Sequence, residues 1–226
     1  MENQDSWIAH PLRDGGLLVA VADGIGGAPG GRQASQLAIS AIAQGITAGA
    51  DWSQLSTLMH QANRQVYDEG RHRPDLFGMG TTLTTAIFWE NRVYVAHVGD
   101  SRAYRLTRHG MDQCTEDHSV AAEMERVGSL SRDEAARHPQ RHVLTRAIGP
   151  FESIRVDSQI LPWSPLDRLL LCTDGLYNAL DDSRIFEICQ RLQGQAAVDG
   201  LLQAALMAGG PDNVTVVLVE SGMGLV

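Results

Sequence analysis

Three times in this chain an apolar run of strand length ends in an aspartate beside a glycine. Residues 17–22 read Leu-Leu-Val-Ala-Val-Ala before Asp23-Gly24, and residues 93–98 read Val-Tyr-Val-Ala-His-Val before Gly99-Asp100. Residues 168–172 lead through Thr173 into Asp174-Gly175. Runs this short and this rich in Val and Leu predict buried strands rather than helices. Asp212 is the mirror case, just before the apolar run 214–219, and Asp5 precedes a short run through Trp7 and Ile8. Any one of these aspartates reads as an ordinary turn former at a strand end. Five together read differently, because unpaired carboxylates gathered at the ends of one sheet system repel and shift their pKa values. Hard divalent cations relieve that repulsion, and all-oxygen ligation suits Mg²⁺ or Mn²⁺. The adjacent glycines let a backbone carbonyl or a water approach such an ion.

The spaces between these strands set the architecture. Apolar spacing predicts helices over 32–50 and 52–69, then strands over 81–89, 93–98 and 103–107, with Asn91 and Gly99-Asp100 as hairpin turns. A helix is expected over 120–127, and Ser131 to Glu134 form a capping box that opens another, closed by Pro139. Strands return at 154–160 and 168–172, helices at 182–192 and 195–208, and a last strand at 214–219. Paired helices and tightly linked strands imply an α+β fold, with helices packed on antiparallel β-structure. At 226 residues a single domain over 1–226 is expected.

Composition narrows the function. With 43% hydrophobic and 20% charged residues the chain can build a core, which excludes a disordered protein. Its 18 Lys+Arg against 27 Asp+Glu give a formal charge of −9 with no basic cluster, arguing against nucleic acid as the main partner. No run approaches the ~20 apolar residues of a membrane helix, and the acidic start is unlike a secretory signal. A cytoplasmic protein is expected. Cys114, Cys172 and Cys189 are too scattered for a disulfide framework or a thiolate metal site.

Other chemistries fail on residue type. Gly26 to Gly31 is followed by Arg32-Gln33, where a phosphate-binding P-loop needs Lys and then Ser or Thr. Pro29 occupies the last glycine of a dinucleotide-binding pattern begun at Gly24. Ile25 and Leu176 stand where an aspartyl-phosphate hydrolase would carry its second aspartate. No HExxH and no GxSxG occurs. A two-metal hydrolytic site is the best chemical reading of the residues alone.

Six segments in order then carry a resemblance: Asn3-Gln4-Asp5-Ser6, residues 21–27 (Val-Ala-Asp-Gly-Ile-Gly-Gly), Gly80-Thr81-Thr82, residues 97–102 (His-Val-Gly-Asp-Ser-Arg), residues 172–176 (Cys-Thr-Asp-Gly-Leu) and residues 210–215 (Gly-Pro-Asp-Asn-Val-Thr). Together they resemble the metal-dependent Ser/Thr protein phosphatases of type 2C, in their compact bacterial form. The resemblance implies a central β-sandwich of two antiparallel sheets flanked by helix pairs, a four-layer αββα arrangement. It implies that Asp23 bridges two metals, that Asp174 and Asp212 complete the first metal's shell, and that Asp5 and the Gly24 carbonyl serve the second. Asp100, with Asp174, matches a third, weaker site. Residues 118–150 correspond to a variable flap, where His118 and His142 are candidates to touch substrate.

The implied activity is hydrolysis of phosphoserine and phosphothreonine by a metal-activated water, with two Mn²⁺ or Mg²⁺ ions and a possible third. The implied partners are phosphoproteins, the substrates of a cognate Ser/Thr kinase, and a monomer is expected. Three departures stand out. The family's phosphate-holding Arg would fall just before Met1, so Arg13, Arg32 or another Arg is expected to substitute, or turnover to be weak. Ile25 replaces a proposed general-acid His of some members, and Asn178 an additional acidic ligand of the third metal. The alternative expectation is a catalytically silent relative that binds a phosphoprotein.

Overall fold

A computed structural model describes residues 2–13, 15–25, 30–49, 51–210 and 212–220. It contains nine strands in two antiparallel sheets. The first sheet joins β1 (Asp5–Pro11), β2 (Leu17–Asp23), β3 (Leu83–Trp89), β4 (Arg92–Val98) and β7 (Asp157–Pro162), in that spatial order. The second joins β6 (Gly110–Gln113), β5 (Arg102–Thr107), β8 (Arg168–Cys172) and β9 (Val216–Glu220).

The run at 17–22 is apolar throughout because β2 is covered on both faces. Val19 and Val21 point into the sandwich, against Ala103, Leu169, Leu171 and Val217 of the second sheet. Leu18, Ala20 and Ala22 point outward, under the helix pair α1 (Gly31–Thr47) and α2 (Leu55–His72). Leu55, Leu58, Met59, Ala62 and Val66 form the buried stripe of α2, joined by the buried amide of Asn63. The second sheet repeats the scheme. Tyr104, Leu106, Leu170 and Cys172 face Ile185 and Ile188 of α6 (Asp182–Arg191) and Leu201 and Ala205 of α7 (Gly194–Met207). The layers are therefore helix pair, sheet, sheet, helix pair, as the resemblance implies. Truncating any of these fully buried leucines to Ala is worth ~2–5 kcal/mol.

Several expectations change. Gly99-Asp100 is no hairpin, because β4 and β5 lie in different sheets; the turn carries the chain across the sandwich. Strand β7 starts at Asp157 rather than 154, fixed by its pairing to β4, and β9 starts at Val216 rather than 214. The four-residue β6 and the one-turn α5 (Asp174–Tyr177) were not visible in the residue pattern. The capping box at Ser131 opens α4 (Arg132–Arg137), and α3 (Val120–Arg126) precedes it. The glycine-rich stretch Gly26 to Pro29, and Pro211 of the last motif, lie outside the described residues. Among the described residues no helix is long and apolar enough to cross a membrane.

Candidate active site

Antiparallel pairing brings the first two aspartates together. Asp5 opens β1, Asp23 closes β2, and the two are cross-strand partners. The backbone on each side of Asp23 is fixed by β3's approach: its N–H donates to Thr82 Oγ1 at 2.9 Å, and its carbonyl accepts from Thr81 Oγ1 and the Thr82 N–H, each at 2.8 Å. Gly24 follows where a side chain has no room, since a Cβ would lie 2.4 Å from the Gly31 backbone.

The second sheet closes the site on Asp5. Thr173, which follows β8, and Thr215, which precedes β9, donate to Asp5 Oδ2 at 2.9 and 2.7 Å. Asp5 Oδ1 is left buried with no hydrogen-bond partner, and so is Asp174 Oδ1. Asp174 begins α5, and its Oδ2 accepts from Asn178 Nδ2 at 3.0 Å. The Gly175 after it is forced, because a Cβ there would meet the Asn213 carbonyl oxygen at 2.0 Å. Asp212 is exposed, and Asn213 reaches back to accept from the Gln4 N–H at 2.9 Å. Asp100 is buried beyond the sheet crossover, with Tyr177 donating to its carbonyl at 3.0 Å.

The electrostatics follow from this gathering of like charges. Burial first, then Asp5, Asp174, Asp100 and Asp212, push the Asp23 carboxyl up to about 10. Burial, then Asp174 and Asp117, push Asp100 up to about 8. Asp5 is also raised by burial, although the two threonine hydroxyls and Asp23 oppose the shift. The other four predicted aspartates thus all bear on the charge of Asp23. Among the described residues no three acid, imidazole or thiol groups already close around a common point as a finished chelate. The set is an open carboxylate cluster. It fits hard ions that keep waters in their shell, and the two buried oxygens without partners are donors of the kind such ions need.

The flap residues divide. His142 lies at the site, its Nδ1 3.5 Å from Asp174 Oδ2. His118 does not reach it. That ring is 1% exposed, with Nδ1 against the Gly99 N–H and Nε2 against Asp157, so it cannot touch substrate. It was a candidate through its place in the segment that corresponds to the flap; the bridge between Ser119 and Leu144 folds this end of the segment inward. The two arginines named as substitutes for the clamp fare poorly. Arg32 pairs with Glu2, and Arg13 lies past the far end of β1, ~20 Å of strand from Asp5. A cleft of about 920 Å³ opens beside the cluster between flap and body, with Arg141, His142, Tyr177 and Asn178 along its wall. A second groove, of about 570 Å³, runs between the edge strands β1 and β9 and is walled mainly by apolar residues such as Trp7, Val216 and Leu218.

Sequence reasoning passed over the residues that hold the acids. Thr82, Thr173, Thr215 and Asn213 all sit inside the motifs already quoted. For Asp5, Asp100, Asp174 and Asp212 the signal available was a hydroxyl or amide one to three residues away; Asp23 has none so near.

Comparison with known proteins agrees with this geometry. A family profile described as Protein phosphatase 2C matches residues 1–208. The serine/threonine phosphatase Stp of Listeria monocytogenes is 36% identical over 96% of this chain and 90% of its own length. The solved serine/threonine phosphatase PstP of Mycobacterium tuberculosis superposes with a TM-score of 0.88 at 35% identity, covering 97% of this chain and 92% of that one. A structure of the PstP catalytic domain in complex with two manganese ions superposes with a TM-score of 0.85 at 34% identity, covering 96% and 90%. With a family profile over residues 1–208 and relatives matched over nearly their whole length, the chain belongs to the protein phosphatase 2C family.

Proposed function

We propose that Asp23 bridges two divalent ions, that Asp174 and Asp212 complete the first shell, and that Asp5 and the Gly24 carbonyl complete the second. Asp100, with Asp174, holds a third and weaker ion. The protein is a metal-dependent serine/threonine phosphatase, and the silent alternative finds no support. Bound ions of this kind acidify a water and neutralise charge developing on the phosphoryl group, so no covalent intermediate is needed.

The chain's own residues prepare that chemistry. Thr173 and Thr215 occupy one oxygen of Asp5 and leave the other free for an ion. Asn178 does the same for Asp174. Ile25 supplies no proton at the position after Gly24, so the departing alkoxide takes its proton from water or another group. Phosphoprotein substrate lies in the cleft beside the cluster, with His142 and Arg141 on the flap side. The finer parts of the reading are two Mn²⁺ or Mg²⁺ ions with a third at Asp100, a single domain with residues 118–150 as its flap, and a cytoplasmic monomer acting on the substrates of a Ser/Thr kinase.

The observation that carries the proposal is the pair of buried, partnerless oxygens on Asp5 and Asp174, next to Asp23. The test is hydrolysis of an aryl phosphate and of a phosphothreonine peptide after metal stripping. No turnover is expected in EDTA, with recovery on adding Mn²⁺ or Mg²⁺; full turnover in EDTA overturns the reading.

A further inference from the structure

The buried polar groups that the reaction leaves unused converge on one turn. His97 and His118 are both buried, with ring centroids 4.8 Å apart. His97 Nδ1 lies 2.9 Å from Thr84 Oγ1, and its Nε2 lies 3.1 Å from the Glu116 carbonyl. His118 grips Gly99 by both of its backbone polar groups. The Gly99 N–H donates to His118 Nδ1 at 3.1 Å, and the His118 N–H donates to the Gly99 carbonyl at 2.8 Å. An accepting Nδ1 leaves the ring proton on Nε2, which faces both Asp157 Oδ2 and Arg146 Nη1 at 3.0 Å and, since an arginine only donates, gives its proton to the carboxylate. Arg146 Nη1 donates to Asp157 Oδ1 at 2.9 Å and fixes that carboxylate in turn. Burial lowers both histidines, His97 to about 3, so both rings are neutral.

Gly99 has φ +114, and a Cβ there would lie 2.6 Å from Thr82. The turn is thus tightly specified, and the next residue is Asp100. On its other side Tyr177 donates to the Asp100 carbonyl. The Arg102 guanidinium lies 3.6 Å above the Tyr177 ring and makes a two-nitrogen contact with Asp117, the residue before His118. The root of the flap therefore holds the Gly99-Asp100 turn directly, through His118, and indirectly, through Asp117, Arg102 and Tyr177.

We propose that His118 is a positioning residue, which fixes the Gly99-Asp100 turn from the base of the flap and so couples the flap to the Asp100 ion site. This rests on the reading of Asp100 as an ion ligand. A space-filling role would be met by any side chain of similar volume. A coupling role needs an acceptor where Nδ1 stands, because the buried Gly99 N–H has to be satisfied there.

The test compares His118→Asn, whose Oδ1 falls near the place of Nδ1, with His118→Gln, which places its amide near Nε2 instead. Hydrogen exchange over residues 98–101 and turnover against Mn²⁺ concentration are measured for both, in the parent and in Asp100→Ala. For His118→Gln, exchange at 98–101 is expected to speed up roughly fivefold to a hundredfold, as for loss of one buried hydrogen bond. Its kcat falls and its half-saturating Mn²⁺ concentration rises, while His118→Asn keeps most of both. In Asp100→Ala, His118→Gln adds nothing further to the loss of kcat. Unchanged exchange in His118→Gln overturns the proposal, as does equal behaviour of the Asn and Gln variants, or a full loss of kcat added on top of Asp100→Ala. If Asp100→Ala alone leaves turnover and its Mn²⁺ dependence unchanged, the ion-site reading falls and the coupling with it. Exchange at 98–101 then still decides whether His118 holds the turn.

Discussion

Asp5 is held by hydroxyls 168 and 210 residues away in sequence, whereas the two helices of the flap beside it, of seven and six residues, bury little beyond Ala121 and Ala135. The acids sit on strand ends whose positions are set by both sheets at once. The two flap helices are held by the Ser119 cap, the Ser131 capping box and a few ion pairs such as Arg132 with Asp182, while the two ends of the flap are anchored to the body through His118 and Ile148. The contrast matches what each region meets. Ions demand fixed distances, and only a packed scaffold supplies them. Phosphoproteins vary in shape, and short, thinly buried segments can be changed without disturbing the core.

The largest test of that contrast is Asp23→Ala. It removes the group on which four other carboxylates act, so turnover is expected to fall to background in an aryl phosphate assay. The metal-free protein is expected to melt no lower than the parent, because a carboxyl that folding buries at the cost of its ionisation has gone. A variant that keeps substantial turnover would show that the ions are not centred on Asp23.

A second, intermediate effect concerns pH in chelator. Asp23 and Asp100 hold their protons up to about 10 and about 8 in the folded chain, against 3.8 when unperturbed. Between those limits the folded state binds more protons than the unfolded state, so its stability is greatest at low pH and is lost as pH rises. The slope is up to ~1.4 kcal/mol per pH unit for each proton retained. Melting temperatures of the chelated protein are expected to fall from pH 5 to pH 9, and Mn²⁺ to flatten the fall by replacing protons. A flat profile without metal would mean that the carboxylates do not share one centre. The smallest effect belongs to the flap. His142→Ala is expected to raise KM for a phosphothreonine peptide several-fold while leaving kcat and aryl phosphate turnover nearly unchanged. Stability should move by no more than ~0.5 kcal/mol, as for an exposed side chain. A collapse of kcat on both substrates would place His142 among the acids rather than beside them.

Much of this arrangement is legible in the residues, and the failures have physical causes. Strand β8 was read to its ends because Leu169 to Cys172 are buried on both faces and need no partner to identify them. The box at Ser131 was read because its bonds are local. The turn at Gly99 was misread because a glycine with positive φ serves a hairpin and a crossover equally well; only pairing decides between them. Strand β6 was missed because Gly110 to Gln113 has little strand character and forms by pairing with β5. The five aspartates were found from their contexts. Their tethers were not, since a threonine in a strand end looks the same whether or not it reaches Asp5.

The bonds from Thr173 and Thr215 to Asp5 also set an order on how the molecule comes into being. Contacts this distant in sequence form late, after the chain between them has collapsed. As synthesis proceeds from the N-terminus, β1 and β2 can pair and present Asp5 and Asp23 long before Thr215 has left the ribosome. Until it does, the carboxylate of Asp5 has at most the Thr173 hydroxyl to orient it. A chain that stops short of Thr215 thus lacks part of what holds Asp5.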